Sequence, residues 1–219
     1  MNPLIESLWT SFLPAFLAGI LVDFEIATIA LAIGGVLGLV LAFVRFQDGF
    51  LTLPAGLLVG LMRAAPTFVV MFFLLNALPR DGFVSGLMIV AVALTPYSAA
   101  YVSDSALDAL RHFHAGSVEA SLLVLPNIAR AFFVLVMSSS VGAAIGVPEG
   151  IAAILREAEK MGSLSDTLVL LAIGIACFGI PLQAGFAFIR VVQRHLAAAA
   201  VRYRKRMPNA IEAVHAKQH

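Results

Sequence analysis

Five stretches of the chain are almost free of charge, and no other feature restricts its fold so tightly. Residues 26–44, 82–103, 131–148 and 167–189 contain no Asp, Glu, Lys or Arg, and residues 50–79 contain only Arg63. A helix needs about 20 mostly apolar residues, in a range of roughly 17–25, to cross the bilayer core. Inside lipid the backbone must satisfy its own hydrogen bonds, which a helix does within one segment. The expectation is an all-α membrane protein with five transmembrane helices. The 50–79 stretch is too long for one straight crossing and should include a surface or re-entrant turn. Residues 7–22 are also uncharged, but the run is short and holds Pro14, so it reads as a short N-terminal interfacial helix leading into the first span. Glu6 stands where a signal peptide would be positive, and no small-x-small cleavage site follows clearly. Composition agrees: 12% of the 219 residues are charged, against roughly 25% in a soluble domain.

Lysine and arginine orient the bundle. Arg190, Arg194, Arg202, Arg204, Lys205, Arg206 and Lys217 crowd the C-terminal end, which the positive-inside rule makes cytoplasmic. Five spans then put the N-terminus outside. Arg45 and Arg111 fall in inner loops, while Arg80, Arg156 and Lys160 fall outside beside Asp81, Glu157 and Glu159. Residues 1–196 form one transmembrane domain and residues 197–219 a basic cytoplasmic tail, read as a lipid contact or topology anchor rather than a nucleic-acid site. In the outer loop GVPEGIAAILREAEK, Pro148 suits a first helical position. Ile151, Ile154, Leu155 and Ala158 share one apolar face of a short surface helix, which packs on the bundle or receives an external partner.

No enzyme constellation is present in the sequence. There is no Gly-rich phosphate loop followed by Lys-Ser/Thr. His112 and His114 are two residues apart, so they do not share a helical face, and no cysteine cluster joins them. The single cysteine, Cys177, lies in an apolar run and reads as a core residue. No cofactor or metal is expected on this chain. The polar residues at membrane depth are the candidates for a solute path: Arg63, Thr67, Asn76, Thr95, Tyr97, Ser98, Tyr101, Ser138, Ser139 and Ser140. Each also has a plainer reading. A charged residue costs about 2.5–3.5 kcal/mol at mid-membrane, so Arg63 faces protein or water, or else snorkels to the inner headgroups. Membrane serines often permit close helix packing. Pro96 interrupts the third span, and such breaks line cavities or pack on neighbours.

Several motifs in order resemble the permease subunits of polar amino-acid ABC importers. LVGLMRAAPTFVVMFFLLNALP matches that family's second segment in Arg63, Pro66, Phe72, Phe73, Leu78 and Pro79. In AAYVSDSALDALRHFHAGSVEAS, Tyr101 matches a family tyrosine and Asp104 stands where the family has glutamate. Gly116, Glu119 and Ala120 fall at the spacing of its Glu-Ala-Ala loop, with Ser121 replacing the second alanine. LPNIAR and IGVPE match the following Leu-Pro step and the outer loop. The resemblance implies the type I ABC importer permease fold and import of a polar amino acid. It implies a second permease subunit, identical or not, and a substrate-binding protein outside the inner membrane. It also implies a cytoplasmic ATPase that holds ATP and Mg²⁺ and docks on a short helix made by Gly116, Glu119, Ala120 and Ser121; on the residues alone, Glu119 reads equally as a solvated charge at a helix start.

Two departures stand out. Leu125-Pro126 follows Ala120 almost at once, so the loop is shorter than the family's by roughly a dozen residues, about three helical turns. Met137, Ser138, Ser139 and Ser140 stand where the family often has a Lys-Asp or Lys-Asn step. A second reading therefore stays open: a permease-like scaffold or regulatory subunit beside a full-length partner, uncoupled from ATP. A carrier driven by ions would usually show paired intramembrane acids and inverted repeats, and neither is seen.

Overall fold

The computed structural model describes residues 8–47, 49–78 and 85–206. The described residues form helices and no strand. A π-helical turn, Leu8–Phe12, runs without a break into α1, Leu13–Phe46. The segment expected to be a separate interfacial helix is therefore the first part of one long helix. Pro14 does not break it: it lies in the first α-helical turn, at the point where the winding changes from π to α, and proline's fixed φ suits that position. Helices α2 (Thr52–Ala64) and α3 (Thr67–Ala77) follow, then α4 (Gly86–His114) and the single turn α5 (Val118–Ser121). α6 (Val124–Ser138) continues into a 3₁₀ segment, Ser139–Ile145, before the short α7 (Gly150–Ala158) and the long α8 (Leu164–Arg206).

Among the described residues four of these helical stretches are long and apolar enough to cross a membrane, or five if α2 and α3, bent by 91° into a broken span or re-entrant loop, are taken as one. The corner is at Ala65-Pro66, where both residues are extended. Proline lacks the N–H a helix would use, and it pushes the residue before it out of the helical region. This is the turn expected inside residues 50–79. Pro79, Arg80 and Asp81, and residues 207–219 of the basic tail, lie outside the described residues. α8 continues through residue 196, so the domain and the start of the tail share one helix.

The core is a parallel pair, α1 on α4. Ala30, Gly34, Gly38 and Ala42 are buried at every fourth position of α1. A Cβ on Gly34 would lie 2.6 Å from the Ser98 side chain, and one on Gly38 would lie 2.6 Å from the Ala99 carbonyl oxygen. Small residues at this spacing let two membrane helices approach backbone to backbone. Ile26, Ala27, Val90, Leu94, Leu135 and Val136 fill the layer beside the seam. The outward face of α1 keeps Leu17, Leu21, Val36, Val40 and Phe43 exposed, as a lipid-facing or partner-facing surface requires.

α7 packs on the bundle by a face that overlaps the expected one: Ile154 is buried and Ile151 and Ala158 pack on the core, while Leu155 is 48% exposed and Gly150, Ala153 and Glu157 point inward as well. Glu157 can be buried because Lys160 donates to it at 2.7 Å and the Ser11 hydroxyl at 3.2 Å. Pro148 is not the first helical residue. Glu149 is the N-cap, and its carboxylate accepts from the N–H groups of Ile151 and Ala152 at 2.7 and 2.8 Å.

Candidate functional site

One face of α4 gathers polar side chains around an open cavity of about 420 Å³. Tyr97, Tyr101, Asp104 and Asp108 line it at i, i+4, i+7 and i+11, which is one side of a helix. Ala100 and Ser105 complete that wall, Arg63 enters from α2 and Asn127 from α6. Arg63 reaches the site because it stands in the last turn of α2, next to the Pro66 corner.

Asp104 is the hub. Arg45, in the last turn of α1, donates to it at 2.8 Å and also to the Ser103 hydroxyl oxygen at 3.0 Å. Arg63 forms a second ion pair with the same carboxylate. Three helices are thus tied by two cations on one anion. Arg45 is 19% exposed and Arg63 58%, so the Arg45 pair is the less screened of the two. The guanidinium of Arg63 has more donors than one carboxylate can use and remains available to the cavity. Asp108, one turn on, is exposed and adds a carboxylate at the rim.

The structure brings Arg63, Tyr97 and Tyr101 together and leaves the other candidates elsewhere. The Thr95 hydroxyl is buried and donates to the Ala91 carbonyl at 3.0 Å. Asn76 donates to the Phe72 carbonyl at 2.7 Å. Ser98 is fully buried against Gly34. Thr67 opens α3 beyond the corner and is half-buried. Ser138 and Ser140 are half-buried where α6 passes into 3₁₀ geometry, and Ser139 between them is fully buried against Asp23 of α1. The sequence reading missed Arg45, Asp104, Ser105, Asp108 and Asn127 as site residues. The helical spacing of Tyr97, Tyr101, Asp104 and Asp108 was the signal available for them.

The inner loop is built tightly. Gly116 has φ +78°. Its N–H donates to the Phe113 carbonyl and the Ser117 N–H to the His112 carbonyl, at 3.0 and 2.8 Å. That double bond pattern ends a helix with a left-handed residue, so glycine at 116 terminates α4. α5 then makes one turn, with Ala120 and Ser121 half-buried. The Glu119 side chain lies outside the described residues.

A second polar cluster lies at the other end of the bundle. Asp23 of α1 is fully buried and accepts from the Ser139 hydroxyl at 2.5 Å and the Gly150 N–H at 3.1 Å. Burial raises the neighbouring Glu149 carboxyl from 4.5 to about 7, and the Asp23 charge adds to the rise. The N–H groups of Ile151 and Ala152 and the charge of Arg156 act in the opposite direction.

No protein-family model and no curated protein matches the chain. Two solved structures are similar to it. One is a chain of an amino acid ABC transporter crystallised with histidines, with a TM-score of 0.66 and 16% identity over 83% of this chain and 94% of that one. The other is a chain of the MetNI methionine ABC transporter in inward-facing conformations, with a TM-score of 0.59 and 18% identity over 88% of this chain and 99% of that one. At these identities the likeness is one of fold, and the fold is the ABC importer permease fold that the sequence motifs implied.

Proposed function

We propose that the chain is a membrane-spanning subunit of an ATP-driven importer and carries a small polar solute, an amino acid. The observation that carries this reading is the match in fold to nearly the whole length of two transporter chains. The cavity on α4 supplies the chemistry. Arg63 offers donors to a carboxylate, Asp108 an acceptor to an ammonium group, and Tyr97, Tyr101 and Asn127 uncharged hydrogen bonds. ATP and Mg²⁺ belong to a separate cytoplasmic ATPase that meets the α5 turn. A second permease subunit completes the path, a binding protein delivers the solute from outside, and the assembly sits in a bacterial inner membrane.

The brevity of α5 favours a second reading. A turn of four residues gives an ATPase little to hold, as in a scaffold or regulatory subunit. Co-purification from native membranes, followed by reconstitution, separates the two. The importer reading expects an ATPase in the complex and ATP-dependent uptake, with Asp108→Asn raising the KM for uptake several-fold at an unchanged amount of complex. A complex without an ATPase, or one in which only the partner permease binds it, overturns the importer role for this chain.

A further inference from the structure

The hydrogen bonds around Asp23 are one hydrogen short. The Ser139 hydroxyl oxygen lies 2.5 Å from Asp23 Oδ1 and 2.7 Å from the Val136 carbonyl oxygen. Both contacts have the length of a full O–H···O bond. A hydroxyl owns one hydrogen, and an ionised carboxylate and a carbonyl are both acceptors only. If Ser139 gives its hydrogen to Val136, the contact with Asp23 needs another, and a protonated Asp23 supplies it. The second Asp23 oxygen accepts from the Gly150 N–H at 3.1 Å, so the same side chain holds the start of α7.

Glu149 is the residue before Gly150, and its carboxylate closes over the same helix end. Asp23 and Glu149 are both fully buried. The ionisable groups acting on Glu149 are Asp23 from α1 and Arg156 from α7. Glu157, further along α7, is held by Lys160 and Ser11. Glu25 on α1 and Glu159 after α7 are exposed. α8 meets Gly150 with Phe178, and the 3₁₀ segment brings Ser139, neither of which is charged. Two acids therefore share a site on which one cation, Arg156, acts, and burial of a second negative charge there is opposed.

We propose that Asp23 and Glu149 form one buried proton-binding site, with the proton carried by Asp23 toward Ser139, and that this proton seats the N-terminus of α7 on α1. Taking up the proton makes one O–H bond and breaks none within the protein. Releasing it to water leaves two carboxylates facing each other across the α1–α7 contact. The contact is tight there, since a Cβ on Gly19 would lie 2.5 Å from the Glu149 carbonyl carbon. Burial and the mutual repulsion of the two acids hold the shared proton above the ordinary carboxylate range, as burial does for Glu149. The seated state therefore binds more protons than the unseated one, and seating weakens as pH climbs above that range from acid to neutral.

The test measures the seating of α7 by thiol labelling of purified complex in a Cys177→Ala background. Ala153→Cys reports the buried face and Leu155→Cys the exposed one; the ratio of their rates cancels the effect of pH on the thiol itself. The ratio is expected to rise several-fold from acid to neutral pH. In Asp23→Asn it is expected to stay low and flat, because the amide brings its own hydrogen to Ser139 and its carbonyl still accepts from Gly150. A flat ratio with Asp23 present, or the same rise in Asp23→Asn, overturns the proposal. Should Asp23→Asn fail to assemble, infrared spectroscopy of the otherwise unaltered complex decides. A protonated-carboxyl band at mildly acidic pH that fades toward neutral pH and moves to higher frequency in Ser139→Ala is expected, and no such band overturns the assignment.

Discussion

Gly34, Gly35 and Gly38 look alike in the sequence and do different work. A side chain on Gly34 or Gly38 would run into α4, whereas a Cβ on Gly35 would meet nothing within 4 Å. Leucine at 34 or 38 must separate the helices. Overpacking of this kind costs about 1–3 kcal/mol, and the buried Ser98 beside Gly34 has no room to move. Gly35→Leu should leave thermal stability in detergent unchanged, while Gly34→Leu and Gly38→Leu should lower the unfolding temperature and the yield of folded chain. Equal loss at all three positions would remove the seam from the account of the fold. The ion pairs at Asp104 act at the same scale. They are partly exposed, so each is worth about 1 kcal/mol or less. Asp104→Asn should therefore cost little stability and be read mainly in uptake.

At the scale of elements, much was legible from charge alone. The spans at α1, α4, α6 and α8 and the turn within residues 50–79 follow from where Asp, Glu, Lys and Arg are missing. Boundaries near prolines were harder to read, because the same residue breaks one helix and starts another: Pro66 makes a corner and Pro14 only opens α1. The inward face of α7 was readable in part. Its apolar periodicity found Ile151, Ile154 and Ala158 but also pointed to Leu155, which is exposed; the burial of Glu157 depends on a partner from ahead of α1, and a serine at position 11 is no signal for it. The cavity on α4 was half visible, in its tyrosines. Its carboxylates could be counted in the sequence, yet only the approach of Arg45 and Arg63 joins them to one site. The α5 turn carries its own prediction. Glu119→Lys and Ala120→Trp should weaken association with the ATPase while leaving the membrane bundle folded, since the turn lies beyond the end of α4. A truncated buried charge contact typically loses roughly 2–5 kcal/mol, which is about 30-fold or more in affinity. Pull-down of the ATPase and solute-stimulated hydrolysis are the measurements, and unaltered values in a transporting complex would favour the scaffold role.

At the scale of the whole molecule, the two polar clusters lie at opposite ends of the α1–α4 pair. Asp23 and α7 belong to the first half of α1, and Arg45, Asp104 and α5 to the last. The positive-inside rule predicts that the second end is the cytoplasmic one. A single cysteine at Ser163 should therefore react with an impermeant thiol reagent added outside, in a Cys177→Ala background, and one at Ser117 should not. Reversed labelling would invert the molecule in the membrane and detach the α5 turn from any cytoplasmic ATPase. The length of α8 has a mechanical meaning under this orientation. Its 43 residues span about 65 Å at 1.5 Å each, more than twice the ~30 Å of hydrocarbon. With the basic end inside, the excess would stand as a rod at the inner face beside α5, with which α8 is in contact. A subunit arriving at that turn would then meet a post as well as a socket, so the short turn need not set its orientation alone.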